Sequence, residues 1–177
     1  MSSITIRDET ALDEDDVRAL HLAAFTDEPV VARIADDLRR SGDAVISLVA
    51  ERDTAIVGHV MFSRLEAPIR AVVLSPLGVH PDFQKAGIGS SLVRAGLDRA
   101  LRDGWQAVFV LGSPAYYGRF GFDAAAAAGY TAPYWGWPFM ARILDNSVPR
   151  EGKIIFPDAF AEDIKQYPAL LSSLKAP

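Results

Sequence analysis

Residues 84–90 read Gln84-Lys85-Ala86-Gly87-Ile88-Gly89-Ser90 and sit between an apolar run and a helical pattern. Two glycines at the mouth of a helix let the backbone come close to a ligand. The first-turn N–H groups there lack intrahelical partners and point outward with the positive end of the helix dipole. Such a turn is an anion cradle; the plainer alternative is that Gly87 and Gly89 only ease a tight strand-to-helix turn. Two phosphate fingerprints fail at this place. A Walker loop needs Lys after its last glycine, but Gly89 is followed by Ser90 and Ser91. A dinucleotide-binding G-x-G-x-x-G needs a third glycine at position 92, which is Leu92. Other chemistries are narrowed by composition. The chain has no cysteine, which excludes disulfides, thiolate metal sites and a cysteine nucleophile. Its three histidines, His21, His59 and His80, lack metal-ligand spacing, so no metal is expected.

The elements that must position this turn can be read from periodicity. "SITIRDE" alternates like a short strand, and Val17, Leu20, His21, Ala24 and Phe25 fall on one helical face. Val30, Val31, Ile34, Ala35 and Leu38 repeat at helical spacing, and the glycine of "RSGD" ends that helix. "AVISLVAER" and "AIVGHVMFSRLE" are β-branched runs separated by Asp53 and Thr54, the pattern of a hairpin. "AVVLSPLGVH" is a third apolar run. Its Pro76 has no N–H, so a ladder bond must be missing and a bulge or splay is expected there. Ile88, Leu92, Val93, Leu97, Ala100 and Leu101 keep one helical face up to Gly104, and "WQAVFVLG" reads as a strand buried on both faces. "GSPAYYGRFGF" leaves room for one helical turn, and "FMARIL" and "GKIIF" are further strand candidates. The order β, α, α, β, β, β, α, β describes a mixed α/β (α+β) fold. With half of 177 residues apolar and no linker or repeat, a single domain over 1–177 is expected.

The pattern Gln84 to Gly89, preceded by the strand ending Leu77-Gly78-Val79, resembles the acetyl-CoA-binding motif of the GNAT superfamily of N-acetyltransferases. A second segment, Tyr116-Tyr117-Gly118-Arg119-Phe120-Gly121-Phe122, resembles the family's Y-x-x-x-G-F signature and follows the next strand, as it does in the family. The wording "VLGSPAYYGRFGF", with "FMARIL" and "GKIIFPDAF" downstream, is similar to the bacterial YhbS-like branch, and the resemblance extends from the first strand to Phe160. It implies a mostly antiparallel central sheet, splayed at a cofactor cleft and flanked by helices.

The resemblance also implies roles. Main-chain groups of Leu77, Gly78 and Val79 would pair with the pantetheine arm of acetyl-CoA. Backbone amides of Gln84, Lys85, Ala86, Gly87, Ile88, Gly89 and Ser90 would hold its pyrophosphate, with Lys85 either an added phosphate contact or a solvated surface charge. Tyr117 matches the family's general acid, and the Val79 N–H its oxyanion contact; adjacent Tyr116 is expected to pack. Several family members carry a Glu on or beside the strand before the cofactor loop. Here that run offers only Ser75 and His80 as polar side chains. Glu28, Glu66 and His80, or a water chain, remain candidates for the base, and each has a structural or solvent-facing alternative. His59, alternating with Val57, Val60 and Phe62, is expected to fill a hydrogen-bonding role. Tyr130, Tyr134, Trp135, Trp137 and Phe139 in a Pro/Gly-rich stretch either wall an acceptor pocket or fill a core edge.

The expected function is transfer of an acetyl group from acetyl-CoA to a primary amine of a small molecule or peptide in a direct ternary complex, with no metal. The alternative is an acyl-CoA-binding sensor without catalysis. A net charge of −5 offers no global field for nucleic acid. No stretch of about twenty apolar residues is present, and the acidic start lacks a signal-peptide layout, so a cytoplasmic protein without membrane association is expected. Strands near the C-terminus are candidates for a homodimer contact.

Overall fold

The alternating residues near the start form β1 (Thr5–Asp8), and the acidic first turn of α1 (Glu14–Ala24) complements the helix dipole. The computed structural model describes residues 3–134 and 138–165. Arg7 on β1 pairs with both Asp13 and Glu51, joining the entry of α1 to the neighbouring strand. Helix α2 (Val30–Ser41) ends on Gly42, whose left-handed φ of 79° lets its N–H cap the last turn. The expected hairpin is β2 (Ala44–Arg52) and β3 (Ala55–Leu65), joined through Asp53 and Thr54, both at positive φ. Strand β4 (Ala71–Val79), helix α3 (Ile88–Arg102) and strand β5 (Ala107–Leu111) follow in the order read from periodicity. The turn after β5 is α4 (Pro114–Tyr117), and a short α5 (Ala124–Ala127) precedes β6 (Tyr130–Thr131) and β7 (Phe139–Ile143). The "GKIIF" candidate contributes only the two-residue β8 (Gly152–Lys153), which pairs with β6 instead of joining the main sheet.

The main sheet has the order β1-β2-β3-β4-β5-β7, and every neighbouring pair is antiparallel except β4 with β5. The parallel pair is where α3 crosses over, as such a pair requires. Both faces are covered. On one face Ile88, Leu92, Val93 and Leu97 of α3 bury against Val60, Phe62, Val72 and Val108. On the other, Ile34, Ala35 and Leu38 of α2 meet Val73, Phe109, Phe139 and the later Ile154 and Phe156. Tyr130, Tyr134 and Phe139 are buried in this second cluster, which is the core-edge alternative for the aromatic stretch; Trp135 and Trp137 lie outside the described residues.

Candidate active site

The parallel pairing of β4 with β5 stops after three residues, at Val73↔Phe109. Beyond it, Val110 and Leu111 stay with β7, while β4 stays with β3 and turns away. The bend originates at Pro76. Phe62 faces Leu74 and Val60 faces Leu77, so Ser75 and Pro76 together oppose the single residue Met61, a bulge of the kind that kinks and twists a strand. Both a bulge and a splay therefore occur where the missing N–H required them.

The edge this exposes can be worked out from the ladder. His80 N–H donates to Val57 O at 3.0 Å, so Val57 and His80 form a bonded pair. Bonded and non-bonded pairs alternate along an antiparallel ladder, and the register runs Gly58↔Val79, His59↔Gly78, Val60↔Leu77. Gly78 is thus bonded to β3, whereas the main-chain groups of Leu77 and Val79 face the gap that β5 has vacated. The Val79 carbonyl receives Gln84 Nε2 at 3.1 Å, which ties the glycine turn to the strand.

Gly87 caps α3 with φ 82°, in the left-handed region that favours glycine, and a Cβ there would meet no atom. The space in front of it is open. Gly89 answers to a different demand: its Cβ would lie 2.9 Å from the Tyr116 hydroxyl. Leu77, Gly78, Val79, Gln84, Lys85, Gly87, Ile88, Gly89 and Ser90 all line one cavity of ≈ 440 Å³. Ala86 is exposed beside it and does not line it. Arg119 and Phe25 line it too, and sequence reasoning had given them no role. The Arg119 guanidinium stacks 4.5 Å over the Tyr116 ring and donates to the Tyr116 carbonyl at 3.1 Å. The cavity thus carries two cations, Lys85 and Arg119, at the positive end of a fifteen-residue helix.

Tyr117 belongs to a second cavity of ≈ 310 Å³, which shares Phe25 and Leu77 with the first. Its ring lies against Gly112, where a Cβ would come within 2.5 Å, and meets Tyr116 and Phe122 edge-on. Burial, and secondarily the neighbouring Tyr116, push the Tyr117 phenol well above its ordinary range. It is therefore protonated at neutral pH and able to donate. Of the three base candidates, Glu28 lines this cavity. Glu66 lines a separate surface depression with Gly129 and Lys153. His80 caps the turn at 81–83 by accepting the Asp82 N–H at 3.3 Å, and its depression lies beside Asp16 and Thr54. Asp163 also lines the Tyr117 cavity and accepts a hydrogen bond from the Tyr134 hydroxyl. No spacing in the sequence connects it to the motifs.

A buried polar chain lies behind β4. Ser47 donates to Glu9, which also receives Arg39 at 2.6 Å. The Ser47 oxygen is then free to accept from His59 Nε2 at 2.8 Å, and His59 Nδ1 accepts from His21 Nε2 at 2.8 Å. This order leaves His21 Nδ1 as an acceptor with no partner, facing Gly78. Burial drives both imidazoles down, His21 to about 3, so both are neutral. Burial alone would raise Glu9, but the adjacent His59 and the hydrogen bonds from Arg39 and Ser47 outweigh it and hold the carboxyl at about 2. His59 fills the hydrogen-bonding role expected of it.

Among the described residues no group of three His, Asp or Glu could hold a metal ion, and no helix is long and apolar enough to cross a membrane. Residues 10–122 match the model of the acetyltransferase (GNAT) family. The fold agrees. The structure superposes on E. coli YhbS solved in complex with CoA with a TM-score of 0.81 and 30% identity, over 91% of this chain and 93% of that one. It superposes on a GNAT-family acetyltransferase from Brucella melitensis in complex with acetyl-CoA with a TM-score of 0.77 and 30% identity, over 89% and 98%. This is an acyltransferase. In sequence it is 36% identical to the uncharacterized N-acetyltransferase YjhQ of E. coli K12 over 132 residues, covering 69% of this chain and 71% of the relative. The uncharacterized N-acetyltransferase YhbS of the same strain is 35% identical over 125 residues, covering 68% and 74%. The chain belongs to the GNAT family.

Proposed function

We propose that the protein transfers the acetyl group of acetyl-CoA to a primary amine within a direct ternary complex. The observation that carries this reading is the gap between β4 and β5. It opens on one side to a cavity with two cations and a helix N-terminus, and on the other to a cavity holding a protonated tyrosine. A thioester reaching through the gap presents its phosphates to one cavity and its carbonyl to the other. The fit is supported by the open space before Gly87, by Lys85 and Arg119, and by the edge at Leu77 and Val79 that β5 leaves without a strand partner. Backbone amides from Lys85 to Ser90 hold the pyrophosphate, the Gln84 N–H expected among them being given to the Pro81 carbonyl at 3.3 Å, and Leu77 and Val79 pair with the amide-bearing arm.

The entering ammonium first gives one proton to solvent; the neutral amine nitrogen then attacks the thioester carbonyl, a C–N bond forms and the C–S bond breaks. Negative charge on the carbonyl oxygen is met by the Val79 N–H, the kind of preorganised donor that stabilises such an oxyanion. Tyr117 gives its proton to the departing thiolate. The nitrogen's surplus proton passes to Glu28, the base candidate that lines the acceptor cavity.

Isothermal titration with acetyl-CoA tests the cofactor site. Micromolar binding is expected for the wild type and none for Gly89→Trp, whose folding is checked by circular dichroism. No binding by folded wild-type protein would overturn the reading. Tyr117→Phe then separates an enzyme from an acyl-CoA sensor. It should keep acetyl-CoA affinity while kcat for thiol release drops by about 100-fold, the contribution of a general acid; unchanged kcat removes Tyr117 from the chemistry.

A further inference from the structure

We propose that the acceptor is a small primary amine with a compact apolar body, aromatic or branched aliphatic, and no carboxylate of its own. The proposal rests on the acetyltransferase reading and names the substrate class of that site.

Charge is segregated across the gap. The cavity in front of α3 carries Lys85 and Arg119. The acceptor-side cavity carries Glu28 and Asp163 and, among the described residues that line it, no lysine or arginine. Arg33 does not line the cavity and is paired with Glu162. Glu28 makes no ion pair among the described residues, and Asp163 takes its hydrogen bond from the neutral Tyr134 hydroxyl. An ammonium entering this cavity meets two carboxylates. An acceptor with its own carboxylate would carry that charge past both of them with nothing to neutralise it, and unpaired charge in a partly desolvated site is costly.

The walls limit the rest of the molecule. Val31 and Ile34 of α2, Leu111 at the end of β5, and Phe156 and Phe160 from the later chain leave apolar surface around the carboxylates. At ≈ 310 Å³ the cavity lies at the small end of ligand sites, which span roughly 300–1,000 Å³. A phenyl ring or branched alkyl group uses that surface; the chain of a polyamine, with ammonium groups along its length, does not.

The test compares kcat/KM for thiol release from acetyl-CoA with 2-phenylethylamine, L-phenylalaninamide, L-phenylalanine and spermidine, using the full chain. 2-Phenylethylamine and the amide should each exceed L-phenylalanine by at least about tenfold, the ratio that about 1.4 kcal/mol of discrimination produces. The ratio should shrink in Glu28→Gln and in Asp163→Asn. It cancels any loss common to both acceptors. Glu28 lies in an exposed loop, so its variant keeps the test available if loss of the Tyr134 contact unfolds Asp163→Asn. L-Phenylalanine matching the amine, or a ratio untouched in the folded variants, overturns the proposal. So does spermidine as the sole acceptor, or no transfer to any of the four, in a protein that binds acetyl-CoA by titration; the cofactor site then stands. Absence of acetyl-CoA binding overturns the acetyltransferase reading as well.

Discussion

Tyr117 and His21 show how burial sets a single side chain's chemistry in opposite ways. Burial holds the Tyr117 phenol protonated, which suits a proton donor, and holds the His21 imidazole deprotonated, which removes it from acid chemistry. The consequence of the second is a stability that depends on pH. His21 and His59 are neutral when folded but take up protons near pH 6.5 when unfolded, so below that value the unfolded state binds more protons and stability falls as pH falls. For His21 the decline continues down to about pH 3. Glu9, with its folded value near 2, adds a loss of the same sign as pH falls from about 4.5 toward 2. Between pH 7.5 and 5.5 each histidine should remove about 1.4 kcal/mol over the whole window, so the two together should lower Tm by roughly 6–11 °C. Scanning calorimetry at stepped pH checks this, and His21→Leu should show about half the decline over that window. A flat Tm would mean that the imidazoles are not buried as neutral groups. The same histidine explains why position 78 is glycine: a Cβ there would stand 2.8 Å from His21 Nδ1.

Strand β4 is two different elements joined at Pro76. Its first half, Ala71 to Val73, is bonded on both sides and buried between α2 and α3. On its ladder side its second half is bonded to β3 alone, and the Leu77 groups and the Val79 N–H face the gap, while the Val79 carbonyl takes Gln84 Nε2. Acetyl-CoA that pairs with this edge must protect it. Amide hydrogen exchange at Leu77 and Val79 should slow by about tenfold or more when acetyl-CoA is added, while Val72 and Val73, already in the ladder, should change little. Equal protection of both halves would point to general stabilisation, not pairing at the gap. Helix α3 is held for its task by Ile88, Leu92, Val93 and Leu97 on the sheet, so its N-terminus is fixed on rigid packing, and only Gly87 and Gly89 supply local adaptation.

For the whole molecule, the arrangement of two cavities meeting at Phe25 and Leu77 bears on kinetic order. In the proposed ternary complex each substrate has its own side of the sheet, the reacting atoms meet in the gap between strands, and no acetylated protein intermediate forms. Initial velocities at varied acetyl-CoA and amine should give intersecting double-reciprocal lines. Parallel lines, with burst release of CoA in the absence of amine, would indicate a covalent intermediate and overturn the direct attack.

The glycine turn, the Tyr117 motif, the order of elements and the bend at Pro76 were legible in the sequence because each depends on local chemistry. Helical and strand periods are written in neighbouring residues, φ > 0 selects glycine, and proline lacks an N–H wherever it stands. The C-terminal part was less legible: "GKIIF" has the composition of a strand, yet pairing with β6 over two residues is a matter of which edge lies nearby. Only the tertiary structure put Glu28, and neither Glu66 nor His80, on the cavity that Tyr117 lines, since packing decides which exposed polar group faces a cavity. It also put Asp163 on the cavity that Tyr117 lines, and joined Glu9, Ser47, His59 and His21 into one buried chain. Those contacts unite residues far apart in the chain, and no local spacing records them.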